Sequence, residues 1–123
     1  GIPMRNHVMA QHIAIEEALK SGHSTKHGAV IIKNGKIISS SRNQYCSFDK
    51  ISNFKARIWS IHAEMNALQG LPRFVTRGAD MYVVRVSKKS HEFMNSKPCA
   101  ICSSLIRKAG IKNVYYSVGT LDN

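Results

Sequence analysis

Two short runs constrain this chain more than anything else in it: Ser60-Ile61-His62-Ala63-Glu64-Met65 and Lys97-Pro98-Cys99-Ala100-Ile101-Cys102. The first is a His-x-Glu opening an apolar-periodic segment, and the second is a Pro-Cys-x-x-Cys opening another. One imidazole and two thiolates are three ligands, the number a zinc ion takes when its fourth position stays open for water. Glu64 stands two residues from His62, close enough to handle protons on that water without binding the metal. Cysteines at a helix start also have their thiolate form favoured by the positive end of the helix dipole. A fold that uses all four residues must bring two helix starts together.

Either run alone says little. A lone His-x-Glu is most often a solvated helix start, and a lone Cys-x-x-Cys also serves as a redox pair. A closed structural zinc site needs a fourth ligand. Cys46 and His91 are the candidates, but both fall in long connections, and such a site would leave Glu64 without a task.

The rest of the chain supplies a frame. Apolar positions Val8, Met9, Ile13, Ile15, Ala18 and Leu19 return at helical spacing from about Arg5 to Ser21, and Gly22 is a plausible stop. His7, His12, His23 and His27 crowd this end without ligand-type partners and read as surface histidines. Gly28–Lys33 and Lys36–Ser40 flank Asn34-Gly35, the strongest short-range hairpin signal, because a type I′ turn needs positive φ at both central residues. Gln44 to Trp59 shows no clear periodicity and reads as a long connection, of the kind that is functional or disordered. Ser60 is the expected N-cap of a helix from Ile61 to about Gly70, with Pro72 beyond it. Asp80–Val86 reads as a buried strand, Ser87–Lys97 as a loop, Cys99–Lys108 as a helix with Pro98 in its first turn, and Lys112–Val118 as a last strand.

Helix, hairpin, helix, strand, helix and strand, with His-x-Glu and Pro-Cys-x-x-Cys at the heads of the second and third helices, resembles the cytidine/deoxycytidylate deaminase superfamily. These zinc enzymes hydrolyse the exocyclic amine of cytosine or adenine, and they include transfer-RNA adenosine and polynucleotide cytosine deaminases. The resemblance implies a three-layer α/β fold, a mixed central sheet built from the hairpin and later strands with helices on both faces. It also implies that the chain stops short of the fifth strand and C-terminal helix of many members, and that Ser87–Lys97 is longer than usual. Gly1-Ile2-Pro3 before Met4 reads as an expression remnant, leaving one zinc deaminase domain over 4–123. By resemblance, zinc is held by His62, Cys99 and Cys102, and Glu64 is the catalytic proton carrier. Asn43 and the backbone N–H of Ala63 are then substrate contacts; for Asn43 the alternative is a turn asparagine bonding its own backbone.

Charge bears on the substrate. Eighteen Lys and Arg against seven Asp and Glu give +11, a field that favours anionic partners, although a solvated basic surface gives the same count. Tyr45, Phe54 and Trp59 interleave with Lys50, Lys55 and Arg57, a pattern suited to stacking on bases and holding phosphates, or else to a satellite apolar cluster. With Lys88 and Lys89 these aromatics are the candidate nucleic-acid contacts. The first expectation is a deaminase of cytosine in single-stranded DNA or RNA. The alternatives are a free (deoxy)cytidine or (deoxy)cytidylate, adenine in RNA, or a non-catalytic zinc-stabilised nucleic-acid-binding module. Three cysteines without a secretory leader point to a reducing, cytoplasmic or nuclear setting, and no run is long enough to span a membrane. Family members commonly self-associate, so a homo-oligomer is expected by resemblance.

Overall fold

The computed structural model describes residues 4–22, 26–47, 58–87, 93–94, 96 and 100–117. Helix α1 spans Met4–Lys20, strand β1 Lys26–Lys33 and strand β2 Lys36–Arg42. Asn34 and Gly35 take φ of 52° and 77°, the two positive values the type I′ turn requires. Strands β3 (Gln44–Ser47) and β4 (Ile58–Ile61) follow, then helix α2 (Ala63–Leu68) and the short helix α3 (Arg73–Thr76). Strand β5 (Asp80–Val86), strand β6 (Phe93–Met94), helix α4 (Ala100–Lys108) and strand β7 (Asn113–Tyr116) complete the order.

The main sheet is mixed. β1 pairs antiparallel with β2 on one side and with β5 on the other. The far edge of β5 is shared: Asp80–Val83 pair in parallel with β7, and Arg85 and Val86 pair antiparallel with β6. Both faces are covered, so the middles of β1 and β5, Ala29–Ile32 and Met81–Val84, are apolar without alternation. Val30, Ile32, Tyr82, Val84 and Val86 face α1 and its Ala10, Ala14 and Ala18. Ala29, Ile31, Met81 and Val83 face the opposite way, toward Ala63 and Ala67 of α2 and Ile106 of α4. This is the expected three-layer arrangement.

The alanines of α1 recur every four residues and make one smooth stripe, against which Gly28 of β1 is packed. A Cβ at Gly28 would collide with the carbonyl oxygen of Ala14 and stand 2.7 Å from the amide nitrogen of Ala18. The helix therefore lies closer to the sheet than any side chain at position 28 permits.

Five expectations need correction. Ser60 is not a cap: it pairs with Tyr45 inside the β3–β4 ladder, and His62, extended at φ −66° and ψ 147°, is the N-cap of α2. Ile58-Trp59-Ser60-Ile61, mostly β-branched and aromatic, prefers a strand to a helix turn, so the helix starts late. The segment from Gln44 to Trp59 was expected to be irregular, yet its two ends form that ladder. The expected helix through Gly70 stops at Leu68, and α3 follows directly after Pro72. Finally, β6 turns part of the expected Ser87–Lys97 loop into a short addition to the sheet. His7 is no simple surface residue either: its ring stands edge-on to Tyr82 and Tyr115, each 5.4 Å away. No helix among the described residues is long and apolar enough to cross a membrane.

Candidate active site

The site forms where α2 and α4 begin. His62 follows β4 directly and caps α2, and the first helical bond runs from Asn66 N to His62 O at 3.0 Å. Two further bonds fix the rotation of α2. The Asn66 side-chain amide donates to Arg42 O at 2.9 Å, and the Ser39 hydroxyl donates to Ala67 O at 2.7 Å. With α2 so held, Glu64 points inward and is only 4% exposed, while His62 remains at the surface.

Cys102 reaches the same place from α4 and is fully buried. Ser96, four residues before α4 in the chain, is tied to the sheet. Ser96 is buried, its Oγ donates to Val83 O at 2.9 Å, and it accepts from Ser117 N at 2.8 Å. Ser117 Oγ donates to Met94 O at 2.7 Å and accepts from Arg85 N at 3.0 Å. Strands β5, β6 and β7 thus meet in one knot of hydroxyls beside the approach to Cys102.

His62 Nδ1 lies 3.2 Å from Cys102 Sγ. Those two atoms and a Glu64 carboxylate oxygen all fall within 4.8 Å of one another. Zinc–nitrogen bonds near 2.0 Å and zinc–sulfur bonds near 2.3 Å set tetrahedral N and S ligands roughly 3.6 Å apart, so the donor pair fits that ion. Burial pushes the Glu64 carboxyl above its ordinary value. Its own backbone amide, the nearby His62 and a hydrogen bond with Cys102 offset part of that rise. The result is a carboxyl that can both hold and release a proton nearer neutrality than a surface glutamate does.

The other predicted residues are scattered. Ala63 is the first residue of α2 and buried, so its amide is one of those that a helix start leaves without an intrahelical acceptor. Asn43 is buried at the end of β2, where its Oδ1 accepts from Ser21 Oγ at 2.7 Å and from His27 N at 2.9 Å. Those bonds fasten the end of α1 to the start of β1. Tyr45 lies on β3 and Trp59 on β4, one register step apart across the ladder. Cys99, Phe54, Lys88 and Lys89 lie outside the described residues. Sequence reasoning missed Ser39, Asn66, Ser96 and Ser117, which position the site; single serines and asparagines carry no pattern to find them by.

The matching family model, described as the cytidine and deoxycytidylate deaminase zinc-binding region, covers residues 4–118. The chain belongs to this family of zinc-binding deaminases. Among solved structures, the dCMP deaminase of cyanophage S-TIM5 in apo form is 24% identical, with a TM-score of 0.67 over 94% of this chain and 84% of that one. The same phage enzyme in complex with dCMP and dUMP is 21% identical, with a TM-score of 0.60 over 94% of this chain and 82% of that one. RibD of Acinetobacter baumannii (form 1) is 21% identical at a TM-score of 0.62, over 93% of this chain but 28% of RibD. At these identities the likeness is one of fold. Comparison with curated proteins finds no match.

Proposed function

We propose that this chain deaminates the cytosine of a free nucleotide, converting deoxycytidylate to deoxyuridylate, with zinc held by His62, Cys99 and Cys102. The observation that carries the reading is the 3.2 Å approach of His62 Nδ1 to Cys102 Sγ with the buried Glu64 carboxyl beside both. Zinc bound there supplies a nucleophilic water at neutral pH. Water adds at C4 of cytosine and ammonia leaves. Glu64 takes a proton from the water side, gives one to the ring nitrogen, and assists departure of the amine. Its raised pKa suits a group that must carry protons in both directions. The Ala63 amide is the proposed donor to the base carbonyl, and Asn43 the proposed contact at the base or sugar.

The free nucleotide stands ahead of the polynucleotide expected from sequence because one solved neighbour is a dCMP deaminase, seen in apo form and with dCMP and dUMP bound. The second reading, cytosine in single-stranded DNA or RNA, is favoured by the charge of +11. Adenine in RNA is the remaining chemical option.

The test is ammonia release from deoxycytidylate, cytidine, single-stranded DNA and RNA, with zinc measured on the same sample. Turnover of deoxycytidylate above the polymers supports the proposal. Turnover of a polymer alone supports the second reading. Stoichiometric zinc, salt-sensitive nucleic-acid binding and silence on every substrate would instead identify a binding module.

A further inference from the structure

Six of the chain's eighteen lysines and arginines lie at one end of the sheet. Lys33, Arg73, Arg77, Arg107, Lys108 and Lys112 collect around α3, where β5 and β7 begin and α4 ends. Lys33 Nζ is 3.3 Å from Phe74 O and 3.2 Å from Val75 O, and Arg73 Nε donates to Lys108 O at 3.2 Å. The Gly110 backbone sits against Arg77, and Lys112 N donates to Ala79 O at 2.7 Å. Cys102 is six residues before Lys108 on α4, which at helical rise puts the cluster roughly 9 Å along the helix axis from the metal ligands.

Among the described residues, no carboxylate pairs with any of these six; the ion pairs present join Glu17 to Lys20 and Arg42 at the opposite end. Asp80 is the acidic side chain nearest the cluster by chain position, and it is buried and receives the Asn113 amide at 3.0 Å. In the middle stands Phe74, 79% exposed and the most exposed large apolar side chain among the described residues.

A bare aromatic ring bordered by cations without carboxylate partners has the chemistry that binds single strands, in which bases stack on the ring and phosphates meet the charges. A second copy of the chain would bring two positive patches together, and a duplex presents no free base faces. We infer that this end of the sheet binds single-stranded nucleic acid, with Phe74 stacking on a base and the surrounding cations holding phosphates. The inference stands apart from the deamination reading, because no residue of the zinc site takes part.

The test is fluorescence anisotropy of a labelled oligothymidylate against the full chain across a salt series. Phe74→Ala should weaken binding by about tenfold at fixed salt and leave the salt slope alone. Arg77→Glu should reduce that slope by about 1, whereas Lys20→Glu on α1, an equal change in net charge, should not. The kcat for deoxycytidylate of the three variants, run in parallel, should match the parent, and each should melt in a single transition that shows it is folded, lowest for Lys20→Glu, which loses its pair with Glu17. If turnover is absent throughout yet binding follows this pattern, the inference holds and the deaminase reading fails. Equal loss from Lys20→Glu and Arg77→Glu, an unchanged Phe74→Ala, preference for duplex, or binding to phosphatidylserine vesicles in place of the oligonucleotide would each overturn it.

Discussion

Glu64 carries its carboxyl where an anion is poorly solvated, and the consequence can be measured without substrate. Its folded-state pKa is raised above the ordinary 4.5 mainly by burial, so the stability tied to this group is complete below that value. It is lost as pH rises through the folded pKa. At neutral pH this linkage works against the metal-free fold, and Glu64→Gln should raise its melting temperature there while leaving it unchanged in acid. A gain of about 1 kcal/mol would appear as roughly 4 °C for a domain this size. Thermal melts of both proteins across pH, with chelator present, check this; a lower melting point for the variant at neutral pH contradicts it. The same substitution should retain zinc and abolish turnover, whereas His62→Ala should lose zinc. Tyr82 offers a second residue-scale test: its hydroxyl is buried and has no hydrogen-bond partner among the described residues. Tyr82→Phe should therefore be neutral or stabilising in a denaturant melt, since it removes a desolvated group and keeps the ring stacked on Tyr115 at 4.9 Å.

The contact between α1 and β1 depends on a missing side chain. Gly28→Ala places a Cβ against the backbone of α1, which cannot give way as a flexible side chain can. The expected cost is about 1–3 kcal/mol, read as a lower denaturation midpoint with an unchanged m-value. α2 depends instead on hydrogen bonds, so Asn66→Ala should cost about 1 kcal/mol of stability and also weaken zinc binding, because it frees the helix start that carries His62 and Glu64. Intact zinc affinity in that variant would show that the orientation of α2 is set elsewhere. These elements also show why some of the fold could be read in advance and some could not. The hairpin and β5 were legible because Asn34-Gly35 and the apolar run Met81-Tyr82-Val83-Val84 are local signals. The β3–β4 ladder was not, because its strands are four residues each and their pairing is set by contacts distant in sequence. The same holds for the site. The types and spacing of His62, Glu64 and Cys102 announced a metal, but the Ser96–Ser117 knot beside α4 exists only in three dimensions.

At the scale of the whole molecule, a charge of +11 on 123 residues acts on every anion that approaches. For a nucleotide substrate the attraction raises the encounter rate and is screened by salt. The value of kcat/KM for deoxycytidylate should fall several-fold between about 0.05 and 0.3 M salt, while kcat, set after binding, changes little. A flat kcat/KM over that range would mean the field does not reach the site. All of this presupposes the metal centre joining two helices that begin on one side of the sheet. X-ray absorption at the zinc edge, on the purified chain and on Glu64→Ala, tests that centre most directly. The account predicts one nitrogen near 2.0 Å and two sulfurs near 2.3 Å in both samples, with light-atom oxygen completing the shell. A four-sulfur shell, a single sulfur, or loss of a ligand on removing Glu64 would contradict it.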